Sequence, residues 1–239
     1  MKTGWWRRAR HREALAWLLA LLVAGTVFSA WPQLDLQVAG WFYDGQGHFP
    51  GDHWWWVRAI YRGTTAVGWA VFLYALWSAW RSWRRSPGHR LRHGRRGWAL
   101  ALVMLLGVVV LVHGALKEQW GRPRPVHILQ FGGEKVFSMA LLPSSGCRTN
   151  CSFVSGHAAT GFVLMAVGLM AAPAVRRRWW RAGMAAGALI GAVRIIQGGH
   201  FLSDVVFAGL AIWGCALLVR AGWLRWRLRR RRRRQASAA

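Results

Sequence analysis

Six apolar segments, each close to the length that crosses a bilayer, constrain the fold of this chain more than any other feature. A helix needs about 20 predominantly apolar residues to cross the hydrocarbon core. The segments cover residues 14–30, 59–80, 98–115, 156–175, 182–196 and 203–222. They predict an all-α polytopic membrane protein with six transmembrane helices in a bundle.

The charge balance supports a membrane setting. The chain is 54% apolar, yet its formal net charge is +26. Soluble domains seldom combine so many apolar residues with so little acid, whereas membrane proteins with basic loops often do. We therefore expect the lipid bilayer as partner and no nucleic acid, although the charge alone resembles that of nucleic-acid-binding proteins.

Basic clusters then predict an orientation. They lie before residue 14, in residues 81–96, in residues 176–181 and in residues 220–234. With six spans all four clusters share one side, which is the cytoplasmic side by the positive-inside rule. Six of the seven acids fall on the other side, and Glu13 is the exception. We predict a multi-pass protein of a bacterial inner membrane with both termini cytoplasmic. Its parts are a basic N-terminus (1–13), a membrane domain (14–223) and a basic tail (224–239).

Two alternatives concern the ends of the chain. Residues 7–30 also resemble an export signal, but its removal would leave five spans and move the tail away from the other basic clusters. The arginine run at residues 229–234 could bind nucleic acid, but beside a membrane exit we expect it to bind anionic lipid or to stop translocation.

The cysteines fit the same topology. Cys147 and Cys151 lie in the outward loop between the third and fourth segments, where an oxidising compartment favours a disulfide, with free thiols as the alternative. A zinc site would need a matching second pair of ligands. Cys215 lies within the sixth apolar segment and is expected in the core.

Three stretches at the outward ends of apolar segments carry chemistry. In the first, Lys117 closes the third segment and Arg124 follows between two prolines that prevent a continued helix. These cations would meet an anionic group at the membrane face. The alternative is ordinary snorkelling of basic side chains at a span end.

The second stretch, Ser155-Gly156-His157, opens the fourth segment. A helix start offers unpaired backbone N–H groups and a partial positive charge, and glycine lets an oxyanion approach closely. We predict a phosphate cradle there. The alternative for Ser155 is a helix N-cap.

The third stretch holds Arg194, His200 and Asp204. Because His200 and Asp204 are four residues apart, the carboxylate can accept a ring N–H and leave the other nitrogen free as a nucleophile. A simple interfacial ion pair is the alternative.

Together, Lys-x6-Arg-Pro, Ser-Gly-His and Arg-x5-His-x3-Asp resemble the signature of the type 2 phosphatidic acid phosphatase superfamily, which also includes vanadium haloperoxidases. The resemblance extends from Lys117 to Asp204. Val154 stands where the family usually has proline and Val193 where it usually has serine, which bears on the substrate subtype more than on activity.

The resemblance implies a role for each residue. His200 would be the nucleophile that forms a phosphohistidine, oriented by Asp204, and His157 the general acid and later base. The phosphate would be bound by Lys117, Arg124, Arg194, Ser155 and Gly156. No metal and no cofactor is implied, because the protein supplies the cations.

The resemblance also limits the substrate. A phosphate site at the outer membrane face suits a lipid, and residues 131–133 and 150–157 look similar to bacterial lipid A phosphatases. Undecaprenyl diphosphate and phosphatidylglycerol phosphate stay open as substrates. The rival functions are a phosphotransferase acting between lipids, a non-enzymatic lipid transporter and a membrane anchor that binds DNA or anionic lipid.

Overall fold

The computed structural model describes residues 3–84 and 94–236, and these ranges are helical and free of β-strands. The helices are α1 (Thr3–Ala30), α2 (Gln33–Gly40), α3 (Trp55–Arg84), α4 (Gly94–Val103, continued as a π-helix over Met104–Lys117), α5 (Gly156–Phe162), α6 (Leu164–Val167), α7 (Pro173–Ile196) and α8 (Leu202–Ala236). Short 3-10 turns cover Pro50–His53, Pro125–His127 and Leu129–Phe131. The part of the second basic cluster within residues 85–93 lies outside the described residues.

Three helices in the described ranges are long and apolar enough to cross a membrane. They are His11–Ala30, Gly94–Lys117 and Leu202–Arg230. These helices identify a helical membrane protein, as the composition predicted. The predicted segments 59–80 and 182–196 lie inside α3 and α7. The count of six spans stays a prediction.

The fourth apolar segment differs from its prediction as one continuous stretch over residues 156–175. The apolar helical part ends at Val167, and a turn follows in which the Ala171 N–H donates to the Gly168 carbonyl. Pro173 then opens α7, where its missing N–H costs nothing. As a result the basic residues 176–181 are helical. Apolar pattern alone does not separate one helix from two that are joined by a tight turn.

Small residues let α5 pack closely on α7. A Cβ atom added at Gly161 would lie 2.9 Å from the Gly187 Cα, and one at Gly187 would lie 2.3 Å from the Phe162 ring. Such contacts bring helix axes together in membrane proteins, where apolar side chains gain little from leaving lipid. The close packing fixes α5, whose first turn carries the Ser-Gly-His stretch.

An ion cluster of three side chains links three helices at the end of the bundle opposite to the Ser-Gly-His stretch. Glu13 of α1 accepts hydrogen bonds from Arg176 of α7 and from Arg220 of α8. The Arg220 Nη1 lies 2.5 Å from the Glu13 Oε2. Glu13 is the acid that the topology placed among the basic clusters, and here it binds residues from two of them.

Candidate active site

The predicted site residues lie at helix ends on one end of the bundle. They are Lys117, Arg124, Ser155, Gly156, His157, Arg194, His200 and Asp204. Lys117 ends α4, His157 is in the first turn of α5, and Asp204 is in the first turn of α8. The positive charges of Lys117, Arg124 and Arg194 all act on His157. The three stretches therefore lie close together.

A tight glycine turn between α7 and α8 places His200. Gly198 has a φ of +62°, a conformation that L side chains rarely adopt, and a Cβ there would lie 2.5 Å from Phe49. The N–H groups of Gly199 and His200 both donate to the Arg194 carbonyl, at 2.9 and 3.3 Å. The chain thus folds back over the last turn of α7, so His200 lies close to Arg194.

His200 is completely buried, and neither of its ring nitrogens has a hydrogen-bond partner among the described residues. Its Nδ1 faces the Asp204 Oδ2 at 3.5 Å, which is long for a hydrogen bond. Among the same residues its Nε2 has no comparable contact with a carboxylate. Burial is the main cause that lowers the pKa of His200 to about 4, and Asp204 opposes it. The imidazole is therefore neutral near pH 7, the form that can attack phosphorus.

Asp204 is bound on every side within the protein. Its Oδ2 accepts from the Ser152 Oγ at 2.5 Å and from the Phe201 N–H at 2.8 Å. Its Oδ1 accepts from the Arg122 Nη1 at 2.6 Å. These bonds fix the position of the carboxylate. Asp204 is thereby held against His200.

Arg122 links Asp204 to a second buried acid. Its Nη2 lies 2.8 Å from the Oδ2 of Asp35, which comes from α2. Ser203 also donates to Asp35, through its N–H at 2.8 Å and its hydroxyl at 2.5 Å. The guanidinium stacks 4.3 Å from the Phe201 ring centre. One buried arginine thus bridges two carboxylates that are 169 positions apart in the sequence.

The start of α5 is tied to the histidine turn. The Ser155 Oγ accepts from the Ala158 N–H at 3.4 Å, so Ser155 acts as the N-cap. The Ser155 N–H donates to the Asp204 carbonyl at 3.1 Å. A Cβ added at Gly156 would lie 2.7 Å from the His113 Nε2 of α4. Glycine is thus needed for the close approach of α4.

Two of the cations are held by neutral partners. The Arg194 Nη1 donates to the Gln197 Oε1 at 2.5 Å, and the Gln197 Nε2 donates to the Asp52 Oδ1 at 2.7 Å. Arg124 donates to the Asn150 carbonyl through Nη2 at 2.9 Å and Nε at 3.2 Å. In the described part of the chain neither guanidinium binds a carboxylate directly, so both positive charges are available to bind an anion.

His157 lies against α3. Its ring stacks on the Tyr61 ring with centroids 4.6 Å apart, and its Nε2 lies 3.4 Å from the Thr65 Oγ1. The Arg194 guanidinium lies 4.5 Å from the centre of the same Tyr61 ring. A helix from the N-terminal part of the chain therefore borders the site.

A disulfide closes the loop that faces Arg124. The bond joins Cys147 to Cys151, and Asn150 lies between them with a φ of 52°. Next in the chain, the Ser152 N–H donates to the Arg122 carbonyl at 2.8 Å. The small loop thus carries both the carbonyl that binds Arg124 and the serine that binds Asp204.

In the described part of the chain, no group of His, Cys, Asp or Glu side chains is arranged to hold a metal ion.

Replacing both Cys147 and Cys151 with serine is expected to lower the free energy of unfolding by about 2 kcal/mol, the chain-entropy value for so short a loop. Chemical unfolding of the purified protein in detergent measures this loss. A reductant should destabilise the wild type by a similar amount and leave the double variant unchanged. Equal sensitivity of both proteins to the reductant would contradict the prediction.

Sequence reasoning missed Asp35, Arg122, Gln197 and Tyr61. Arg122 lies between the two cations of the first stretch, and the sequence predicted no role for it. Asp35 had one usable signal, because an acid that follows an apolar span by a few residues needs a partner when buried. The contacts of Tyr61 and Gln197 depend on helix packing and leave no sequence pattern.

Comparisons with known proteins point to one family. The sequence profile described as "PAP2 superfamily" matches residues 96–231. The chain is 33% identical to the lipid A 4'-phosphatase of Francisella tularensis subsp. novicida (strain U112) over 205 residues, which cover 82% of this chain and 89% of that protein. It is 41% identical to the lipid A 4'-phosphatase of Rhizobium leguminosarum over 108 residues, 45% of this chain and 46% of the relative. No solved structure matches the chain.

Proposed function

Because the chain belongs to the PAP2 superfamily and is a phosphoric ester hydrolase, we propose that it removes the 4'-phosphate of lipid A through a phosphohistidine on His200. One observation carries the mechanism. The buried, neutral His200 has an unpartnered Nε2 and lies in the same cluster as His157, Lys117, Arg124 and Arg194. The names of the relatives support the substrate.

In the first step the His200 Nε2 attacks the phosphorus, and the bond between phosphorus and the sugar oxygen breaks. The bound phosphate is anionic and offsets the cations around His157, so His157 enters this step protonated and gives its proton to the departing oxygen. The proton is needed because an unprotonated sugar alkoxide is a poor leaving group. Asp204 stabilises the positive charge that develops on the His200 ring. Lys117, Arg124 and Arg194 neutralise the phosphoryl oxygens as charge moves.

In the second step water attacks the phosphohistidine. His157, now neutral, accepts a proton from the water as the P–N bond breaks. Inorganic phosphate leaves, His200 is neutral again and His157 is again protonated. In both steps we assign the neutralisation of the phosphoryl oxygens to Lys117, Arg124 and Arg194.

An apolar groove next to the site supports a lipid substrate. The groove has a volume of about 270 Å³ and lies between α3, α4, α5 and α7. Thr160, which donates to the Gly156 carbonyl at 3.1 Å, lines it one turn below the start of α5. An acyl chain that lies there would keep its head group near His157 while its tail stays in the membrane.

The ion cluster at Glu13 supports the proposed orientation. Glu13 binds arginines from α7 and α8, whereas Lys117 and His200 lie at the other end of the bundle. With six spans and a cytoplasmic Glu13, the site faces the periplasm of a bacterial inner membrane. Residues 14–223 then form the membrane phosphatase domain, between a basic cytoplasmic N-terminus and tail.

The assay that tests the proposal measures phosphate release by the detergent-solubilised protein. The substrates are bisphosphorylated lipid A, undecaprenyl diphosphate, phosphatidylglycerol phosphate and phosphatidic acid, each assayed with and without EDTA. We expect the highest kcat/KM with lipid A and a product that has lost its 4'-phosphate. No rate change is expected on adding EDTA.

Each rival has a distinct outcome. Faster release from another lipid would overturn the lipid A assignment, and loss of the 1-phosphate would overturn the position. Transfer of labelled phosphate to a second lipid in place of inorganic phosphate would identify a phosphotransferase. Function that survives His200→Ala would identify a transporter.

A further inference from the structure

Tyr61 of α3 lies between two groups of the proposed site. We propose that it is a positioning residue for the general acid, which holds the His157 imidazole in the plane needed to protonate the leaving oxygen. The inference rests on the proposed role of His157. It adds to the site a residue outside the matched region 96–231 and outside the three sequence stretches.

The ring contact is close and nearly parallel. The Tyr61 and His157 centroids are 4.6 Å apart with 24° between the ring planes. The Arg194 Cζ lies 4.5 Å from the centre of the Tyr61 ring. Aromatic stacking favours a narrow range of orientations, and a cation over the ring adds a second attraction. Tyr61 therefore couples the position of the acid to that of a phosphate-binding arginine.

A second residue of α3 contacts the same imidazole. Thr65 follows Tyr61 by four residues, so both side chains lie on one face of the helix. The Thr65 Oγ1 lies 3.4 Å from the His157 Nε2, at the outer limit of a hydrogen bond. Stacking sets the plane of the ring and this contact sets its rotation within that plane.

Such positioning matters most for the proton transfer. General acid catalysis contributes about 10²- to 10⁴-fold only when the donor is within hydrogen-bond reach of the accepting oxygen. Phosphate binding by Arg194 depends much less on the orientation of an imidazole. Loss of the Tyr61 ring should therefore lower kcat/KM most for substrates whose leaving group must be protonated.

Two synthetic substrates with different leaving groups test this directly. Dodecyl phosphate departs as a strongly basic alkoxide and needs the proton. A dodecyl-substituted nitrophenyl phosphate departs as a weakly basic phenolate and does not. The matched alkyl chains keep membrane partitioning similar. The measure is kcat/KM, which reports the steps up to departure of the leaving group and excludes the later hydrolysis of the phosphohistidine.

For Tyr61→Leu we expect kcat/KM to fall by about 10- to 100-fold with dodecyl phosphate, part of the contribution of a general acid. The nitrophenyl ester should keep a kcat/KM near the wild-type value. Tyr61→Phe retains the ring and should stay near wild type with both substrates. Tyr74→Leu is the matched control, because Tyr74 lies on the same helix, is exposed and contacts Trp77.

The reference variant is His157→Ala, for which a large loss confined to the alkyl ester supports the proposed acid. If His157→Ala shows this selective loss and Tyr61→Leu lowers both substrates equally, the positioning role is overturned and the proposed function stands. If His157→Ala itself lowers both equally, the proposed acid is wrong and the positioning role falls with it. Selective loss in both variants, with Tyr61→Phe near wild type, supports the inference.

Discussion

Replacing His200 with alanine is expected to reduce phosphate release by about 10⁴- to 10⁶-fold, because loss of a covalent nucleophile removes the first step entirely. The residual rate would come from the cations that still bind the phosphate. Initial rates of inorganic phosphate release from lipid A measure the effect. In parallel, rapid quenching of ³²P-labelled substrate in an alkaline denaturant should trap a phosphoenzyme that is stable to alkali and labile to acid in the wild type, and none in the variant.

His48→Ala is a suitable control for this variant. Its side chain is exposed in the first outward loop and lies 3.6 Å from Asp44, the contact that the structure shows for it. The control should keep wild-type activity and a wild-type level of phosphoenzyme. A labelled phosphate found on any other residue, or an active His200→Ala protein, would rule out the nucleophile assigned here.

The second large effect is on stability. Arg122→Met removes the positive charge between Asp35 and Asp204 and leaves two buried carboxylates without their cation. Removing one partner of a buried ion pair typically costs about 3–5 kcal/mol, because the remaining charge is poorly solvated. We expect the free energy of unfolding in detergent to fall by about that amount, and activity to fall as Asp204 loses its orientation.

Arg124→Met is the matched comparison, two residues further along the chain. Arg124 donates to a carbonyl of the disulfide loop and is only half-buried, so its loss leaves no buried charge unpaired. We expect a change within about 1 kcal/mol in stability together with a strong loss of activity. Equal stabilities for the two variants would contradict the bridging role of Arg122.

Sequence patterns predicted the parts of this protein that depend on neighbours in the chain. Apolar length located the helices, and the spacing of His200 and Asp204 implied a contact that a short turn and one helical turn can make. The break at Val167 was not predicted, because apolar residues continue across it to Val175. Composition indicates which segments can be helical, but it does not indicate where a tight turn divides one helix from the next.

The contacts that complete the site depend on packing between distant segments. The link from Asp35 through Arg122 to Asp204 joins three separate elements, and the sequence predicted a role for Asp204 alone among the three. The stacking of Tyr61 on His157 depends on how α3 rotates against α5. Neither contact can be predicted from the spacing of residues in the sequence, because both form only when distant segments pack together in the bundle.

The Arg122 bridge has a consequence for exchanging parts between relatives. Asp35, Asp52 and Tyr61 come from the chain before residue 96, and all three reach the histidine region through Arg122, Gln197 or His157. Residues 3–84 and 94–236 are therefore joined by contacts at the proposed site. A chimera that joins this N-terminal part to another enzyme's phosphatase motifs will work only if it carries a matching acid for the arginine, so the two parts must be inherited or engineered as a pair.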